Sequence, residues 1–307
     1  MSGTILERGQ IAAAASKPPF LQLPPRNLFA LRAARLAQLA EGHALGDYLQ
    51  LLAAVCRAQQ QVLEAPPALP FPDPERCAQA IAHDMPPLAG DALVREDAWL
   101  PMLDAWLAAF APPAPANPAL AHALERVRAA AAAQRKAWGG ALLDGRYASV
   151  PAAVAPFVGA ALQLAWSHWL LNLDPRAFAE VEDQQTCPAC GALPMAGVIH
   201  GQGARNGLRY LVCSLCACEW HYVRLKCSHC RSTRKLDYLH LQHSPHGVRA
   251  EACPECRHYL KQLYLELEPG GETLSADLAS LDLDLLLDGE GYRRQAPNLL
   301  LAPGGDG

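Results

Sequence analysis

The residues most capable of chemistry in this 307-residue chain are its cysteines. Nine of the eleven lie between residues 187 and 256, and eight of those nine form four C-x-x-C pairs. Two residues between cysteines permit a tight turn that directs both sulfurs at one ion, and a second such turn completes a tetrahedral S4 site. The pairs are Cys187/Cys190, Cys213/Cys216, Cys227/Cys230 and Cys253/Cys256.

An internal duplication relates these pairs. Each cysteine of the first two pairs recurs 40 positions later in the last two, and the same offset relates His200 to His240 and Arg209 to Arg249. Each unit therefore reads C-x2-C-x22-C-x2-C, and two units in register are a strong indication of metal binding. Four sulfurs complete the coordination of one ion, whereas catalytic zinc keeps an open position. The pattern predicts two closed metal sites in a protein that is not an enzyme.

Other uses of the cysteines fit the spacing less well. A thioredoxin-type C-x-x-C requires a strand-to-helix context that these turns lack, and the paired turns favour one mononuclear ion per unit over an iron–sulfur cluster. Thiolate S4 sites accept both iron and zinc, so the spacing leaves the metal open. Cys218 lies outside the paired pattern and is interpreted as a bystander. His229 and His258 adjoin the turns, where a solvated position is favoured over a contact with the site.

The residues between the pairs are typical of the strands that must bring the pairs together. Residues 207–212 lead into Cys213, and residues 236–241 alternate polar and apolar side chains. Residues 220–225 and 260–265 are expected to form the third strand of each unit. So little apolar area belongs to each unit that the metal must supply much of its folding free energy. Structural zinc in small peptides contributes roughly 10–16 kcal/mol near neutral pH.

Residues 1–183 differ in composition, being rich in Ala, Leu and Pro with only Cys56 and Cys77 among the cysteines. Apolar periodicity and helix-start signals predict a bundle of five or six helices joined by Pro-rich linkers. The predicted helices cover residues 27–40, 47–62, 96–110, 117–143 and 151–171.

The fold class that follows is a multidomain α+β chain. An N-terminal α-helical bundle over residues 1–183 precedes two small tandem metal modules of zinc-ribbon type, over 184–226 and 227–268. An acidic C-terminal extension occupies residues 269–307.

Charge argues against a nucleic-acid partner. The whole chain carries a formal charge of -4. The tandem modules hold ten Lys or Arg and five Asp or Glu between residues 187 and 267, and two S4 sites with divalent ions reduce this surplus to about +1. Residues 268–290 add seven acids and no base. This half of the chain is therefore better suited to a protein partner that carries basic residues.

No membrane insertion or export is expected. Residues 1–19 lack the basic start and apolar run of a secretory signal, so the cysteines are expected to stay reduced in the cytosol. Residues 147–173 contain no Asp, Glu, Lys or Arg and are long enough to span a bilayer. Because Pro151, Pro156 and several polar residues interrupt this stretch, it is interpreted as a buried bundle helix.

Several segments resemble the FdhE family of formate dehydrogenase accessory proteins. The resemblance is dense from about residue 186 to 292, weaker across the helical part, and includes all eight paired cysteines; Cys218 is an addition to the family pattern. The segments that carry it are Thr186-Cys-Pro-Ala-Cys-Gly, Gly207-Leu-Arg-Tyr-Leu-Val-Cys, Glu219-Trp-His-Tyr-Val-Arg-Leu-Lys-Cys, Ala250-Glu-Ala-Cys, Tyr259-Leu-Lys and Ala276-Asp-Leu-Ala-Ser-Leu.

The resemblance implies a cytoplasmic maturation factor with a helical domain and two rubredoxin-like modules that bind iron. It also implies that the protein is required for respiratory formate dehydrogenase activity and binds the catalytic subunit of that enzyme before export. The sequence leaves the oligomeric state open, with a homodimer as one possibility. The alternative function is a redox-active relay of electrons or sulfur, and the third is a nucleic-acid-binding zinc ribbon.

Overall fold

The helical part of the protein contains seven α-helices among the residues described by the structure, which is a computed structural model. It describes residues 19–70, 72–89, 97–115, 117–178, 180–181, 183–241, 247–301 and 303–305. The helices are α1 (Leu28–Leu39), α2 (Gly46–Glu64), α3 (Pro74–Ala82), α4 (Leu100–Ala109), α5 (Pro118–Ala129), α6 (Ala132–Leu143) and α7 (Ala155–Leu170).

Local signals place most of these helices but miss one break and one helix. The Asn117 side chain accepts hydrogen bonds from the N–H groups of Ala119 and Leu120 at 2.9 and 3.3 Å, as expected for a helix start. The single helix predicted over 117–143 is two helices, because Ala130 and Ala131 adopt extended backbone angles with ψ of 134° and 152°. An alanine run carries no sequence signal for such a break.

Helix α3 lies in a region interpreted as a Pro-rich linker. Pro74 occupies the first turn of α3, where its missing N–H costs no hydrogen bond. The Asp73 carboxylate accepts a hydrogen bond from the N–H of Glu75 at 2.9 Å and caps the helix. The proline therefore starts a helix here rather than separating two.

Helix α7 is the centre of the bundle. Fourteen of its sixteen residues are buried, which is the environment that an all-round apolar helix requires. Trp106 and Phe110 of the α4 region stack near Phe157, with ring centroids 4.9 to 6.2 Å apart. Among the described residues, no helix combines the length and apolarity needed to cross a membrane. The interpretation of residues 147–173 as a buried bundle segment is therefore confirmed.

Gly159 permits the close contact between α7 and the C-terminal 3-10 turn Leu299–Leu301. A Cβ added at Gly159 would lie 2.6 Å from the carbonyl oxygen of Leu299, a backbone atom that cannot rotate away. We expect Gly159→Ala to destabilise the protein by about 1–3 kcal/mol through overpacking. Urea unfolding followed by circular dichroism measures this, with Gly270→Ala as the control because open space surrounds Gly270. Equal stability of the two variants would contradict a close contact between Gly159 and the Leu299 backbone.

The eight strands of the described residues form one sheet that spans both metal modules. The strands are β1 (Leu21–Gln22), β2 (Pro194–Ile199), β3 (Arg209–Cys213), β4 (Glu219–His221), β5 (Asp237–Leu239), β6 (Val248–Ala252), β7 (His258–Tyr264) and β8 (Arg293–Arg294). The first module supplies β2, β3 and β4, and the second supplies β5, β6 and β7, each as an antiparallel set. The order is β1-β4-β3-β2-β7-β6-β5, with β8 beside β7.

The two modules are joined through the parallel pair β2 and β7, in which Gly197 to Ile199 pair with Gln262 to Tyr264. A buried ion pair also crosses between them, since Arg209 of β3 binds Glu251 of β6. The same guanidinium donates to the carbonyl oxygen of Lys226 at 2.8 Å. The predicted division of the chain at residues 226 and 268 stays a prediction. The sheet continues across both positions, since β7 pairs with β2 and with β8.

The acidic C-terminal region folds against the modules. It forms α8 (Thr273–Leu278), α9 (Leu281–Gly289), β8 and the final 3-10 turn. Four of the seven acids in residues 268–290 pair with bases: Glu268 with Arg35, Glu272 with Arg32, and Asp277 and Asp284 with both Lys261 and Arg294. The remaining acids, Asp282, Asp288 and Glu290, are exposed. The surface is therefore less acidic than the composition of this region indicates.

Candidate metal centres

The first tetrad is built at the ends of strands in the first module. Cys187 and Cys190 lie on the turn before β2, Cys213 ends β3, and Cys216 lies on the turn before β4. All four side chains are buried. The Cys187 and Cys216 sulfurs are 3.6 Å apart, and those of Cys190 and Cys213 are 3.4 Å apart. Antiparallel pairing of β2 with β3 thus brings together two turns that are distant in sequence.

The second tetrad repeats this arrangement in the second module. Cys227 and Cys230 lie before β5, Cys253 follows β6, and Cys256 precedes β7. The sulfurs of Cys227 and Cys256 are 3.7 Å apart, as are those of Cys230 and Cys253. In each tetrad all four sulfurs lie within 4.8 Å of one another. The structure therefore assembles both groups of cysteines that the spacing selects.

The sulfur geometry fits a tetrahedral metal ion. Metal–sulfur bonds of about 2.3 Å in a tetrahedron place the sulfurs about 3.8 Å apart, close to the separations in both tetrads. Backbone N–H groups also point at the sulfurs: those of Leu215 and Cys216 donate to Cys213 at 3.3 and 3.4 Å, and that of His229 donates to Cys227 at 3.4 Å. Such donors stabilise the negative charge of a thiolate. The donor set is suited to zinc or iron.

The thiols of the first tetrad have pKa values shifted in opposite directions. Burial raises the pKa of the Cys190 and Cys216 thiols well above the usual range. Burial also opposes ionisation of Cys187, but hydrogen bonds from the neighbouring thiols outweigh it and hold the pKa of Cys187 well below its usual range. A bound cation replaces the remaining protons, so metal binding there releases protons and strengthens as the pH rises.

Cys218 is a fifth buried sulfur beside the first tetrad. Its sulfur lies 3.3 Å from that of Cys187, and the side chain is fully buried. Cys218 lies 40 residues before His258, and the backbone carbonyl oxygens of the two residues accept equivalent hydrogen bonds. The N–H of Cys213 donates to the carbonyl oxygen of Cys218, and the N–H of Cys253 donates to that of His258. The cysteine spacing does not indicate that Cys218 lies beside Cys187, although the 40-residue offset relates Cys218 to His258, which lies beside the second tetrad.

The tetrad is complete without Cys218, so Cys218→Ala is expected to retain two equivalents of metal per chain. Removing one buried sulfur costs about 1–2 kcal/mol of stability, because a small cavity remains. Elemental analysis of the purified variant measures the metal content, and Cys216→Ala, which removes a member of the tetrad, serves as the matched comparison. Loss of one equivalent from Cys218→Ala would make Cys218 a ligand rather than a bystander.

Two histidines stack beside the second tetrad. The rings of His229 and His258 have centroids 3.7 Å apart and planes inclined by 18°. The Nδ1 atom of His258 lies 2.9 Å from the carbonyl oxygen of Cys256, which ties the pair to a cysteine turn. His229 is exposed and His258 is half-buried. The interpretation of these residues as merely solvated is thus incomplete, since they pack together over the turns.

Comparison with known proteins places the whole arrangement in one family. Family models described as FdhE match three consecutive parts of the chain: the N-terminal model matches residues 17–183, the central domain residues 186–224 and the C-terminal domain residues 225–301. The chain belongs to the FdhE family. The first of these FdhE models covers the helical part, and the other two cover the two tetrads.

Individual FdhE proteins agree with this membership over their full length. A protein named Protein FdhE homolog from Stutzerimonas stutzeri is 69% identical over 304 residues, covering 99% of both chains. The homolog from Pseudomonas aeruginosa is 58% identical over 311 residues and covers all of both chains. The crystal structure of the FdhE protein from Pseudomonas aeruginosa superimposes with a TM-score of 0.87, covering 94% of this chain and all of that one. The resemblance inferred from the cysteine segments is confirmed.

Proposed function

We propose that this FdhE-family protein is a non-enzymatic accessory factor that is required for formate dehydrogenase activity. In this proposal it works in the cytoplasm and binds the catalytic subunit of the respiratory enzyme before export. The observation that carries the non-enzymatic part is the closure of both tetrads, since four sulfurs occupy every position of a tetrahedral ion and leave none for a substrate. Membership of the FdhE family supports formate dehydrogenase as the protein that this factor serves, referred to below as its client.

We propose two mononuclear ions, each held by four cysteines, as the resident metals, with iron of the rubredoxin type as the first choice and zinc as the alternative. Either ion cross-links two turns of a small module and so supplies folding free energy. Iron adds a one-electron couple. The protein holds such an ion with Cys187, Cys190, Cys213 and Cys216 in the first site and with Cys227, Cys230, Cys253 and Cys256 in the second. Elemental analysis and an optical spectrum of anaerobically purified protein distinguish the two metals.

Deletion and affinity capture test the accessory function. A strain that lacks this protein is expected to lose respiratory formate oxidation, and the intact gene is expected to restore it. Affinity capture of the tagged full chain from its own cytosol is expected to recover the formate dehydrogenase catalytic subunit. Normal formate oxidation in the deletion strain, together with no recovery of that subunit, would overturn the proposal.

The alternative function, a redox relay, gains support from one observation. Cys230 of the second tetrad is exposed, so an ion there lies near the surface, where an electron-transfer partner can approach. Reversible reduction and oxidation of the bound ion at a physiological potential, followed by its absorbance, would favour this function. Colourless protein with stoichiometric zinc would leave the metals a structural role.

A further inference from the structure

The two tetrads differ sharply in their exposure to solvent. The four cysteines of the first tetrad expose 0 to 3% of their surface. In the second tetrad Cys227 and Cys253 are also buried, at 5 and 1% exposure, but Cys230 is exposed and Cys256 is half-buried. The repeated cysteine spacing therefore produces one enclosed site and one that opens on one side.

The helical bundle encloses the first tetrad. Helix α7 reaches the turn of Cys213 and Cys216: the Gln163 amide donates to the carbonyl oxygen of Ser214 at 2.9 Å, and the Ser167 hydroxyl donates to that of Cys216 at 3.4 Å. The other turn is also held, since the N–H of Leu88 donates to the carbonyl oxygen of Ala189 at 2.9 Å. All four sulfurs belong to the main apolar core. Opening this site requires separating the module from the bundle.

The second tetrad packs against far fewer buried apolar residues than the first. Its apolar cluster consists of Cys227, Leu236 and Cys253, with Tyr238 and Cys256 packed against them. Two side chains hold the turn of Cys227 at residues 228 and 229. The Ser228 hydroxyl donates to the Gln295 side chain at 2.8 Å, and the Gln185 amide donates to the carbonyl oxygens of Ser228, at 3.1 Å, and His229. Cys230 lies at the far end of the same turn and faces solvent. Local opening at that end exposes little buried surface and therefore has a low free-energy cost.

We propose that the second tetrad is the site at which metal exchanges with solution, while the first keeps its ion for as long as the chain stays folded. Exchange begins at Cys230. An incoming thiol ligand forms a bond to the ion as the Cys230 sulfur leaves, and the proton released by the incoming thiol passes to the Cys230 thiolate. Charge and ligand number are unchanged in this step. The inference rests on metal binding by the tetrads and is independent of the proposed formate dehydrogenase client.

Metal release from the intact, fully loaded chain tests this. With an excess of the chromogenic chelator 4-(2-pyridylazo)resorcinol, we expect one equivalent to leave in a fast phase and the other about 100-fold more slowly, since its release needs a larger opening of buried structure. Alkylation with N-ethylmaleimide followed by peptide mass spectrometry identifies the tetrad that releases its ion in the fast phase. Label is expected first on Cys230 and Cys256, with Cys190 and Cys216 protected.

A matched pair of variants assigns each phase, because Cys190 and Cys230 occupy the same position of the repeat. Cys230→Ser is expected to abolish the fast equivalent and leave the slow one, and Cys190→Ser to leave the fast phase unchanged. If Cys190→Ser does not fold, the order in which the cysteines of the native chain are labelled still shows which tetrad releases its ion first. Release of both equivalents in one phase, retention of both, or first labelling in the first tetrad would each overturn the proposal.

Discussion

Cys213→Ser is expected to remove the first ion and to unfold the first module together with the part of the bundle that packs on it. Structural metal in thiolate sites contributes roughly 10–16 kcal/mol, whereas a typical protein is stable by only about 5–15 kcal/mol. The Cys213 sulfur also accepts two backbone N–H groups and lies in the main core, so its loss affects the bundle as well as the module. Elemental analysis and thermal unfolding by circular dichroism measure the two effects.

Cys77→Ser is the control for this substitution. Cys77 is a buried thiol outside both tetrads and lies near the carbonyl oxygens of Pro72 and Pro87 at 4.0 and 3.8 Å. We expect this variant to keep both equivalents of metal and to unfold within about 1–2 kcal/mol of the native protein. A Cys213→Ser chain that unfolds at the same temperature as Cys77→Ser would show that the ion contributes little to the fold.

Lys261→Met is expected to cost about 3–5 kcal/mol of stability, because it removes one of the two cations that neutralise the carboxylates of Asp277 and Asp284 and leaves Arg294 to pair with both. The Lys261 ammonium lies 2.9 Å from a carboxylate oxygen of Asp277 and 2.6 Å from one of Asp284. It also donates to the Ser280 hydroxyl at 3.1 Å. This cluster fastens α8 and α9 to β7, so its disruption loosens the C-terminal region. Urea unfolding of purified, metal-loaded protein gives the free-energy change.

Arg234→Met is the matched control, since it removes one basic residue of an exposed ion pair. Arg234 and Glu255 are 2.8 Å apart, but the Arg234 side chain is 78% exposed. Exposed pairs contribute at most about 1 kcal/mol, so this variant is expected to unfold close to the native midpoint. Equal losses in the two variants would contradict the distinction between buried and exposed pairs.

The pH dependence of the same cluster provides a separate prediction. Burial favours the neutral acid, but Arg294 and Lys261 together lower the pKa of Asp277 from 3.8 to about 2. A carboxylate whose pKa is lowered in the folded state stabilises the protein at pH values above its unfolded pKa of 3.8. For Asp277 this contribution is about 2 kcal/mol, and it disappears as the pH falls towards 2. In Lys261→Met the pKa of Asp277 rises. The stability deficit of that variant should therefore shrink between about pH 4 and 2, as followed by urea unfolding across that range; a constant deficit would contradict this.

Contacts between segments that are distant in the sequence explain the structural features that the sequence patterns did not predict. The Ala130–Ala131 break has no local signal, because alanine is favourable in helices and only contacts with other segments decide where such a helix ends. Residues 269–307 were expected to form an acidic extension, yet Asp277 is buried, since Lys261 and Arg294 reach it from β7 and β8. Composition counts charges but does not show which of them are paired.

The eight tetrad cysteines could be selected from the sequence alone, because a C-x-x-C turn is a local structure and a 40-residue repeat places the second turn at the same relative position in each unit. Tertiary structure alone decided that the two units share one sheet and that only one tetrad is enclosed. The physical reason is that exposure depends on neighbours from distant segments: Gln163 and Ser167 of α7 cover the first site, whereas Cys230 has solvent on one side.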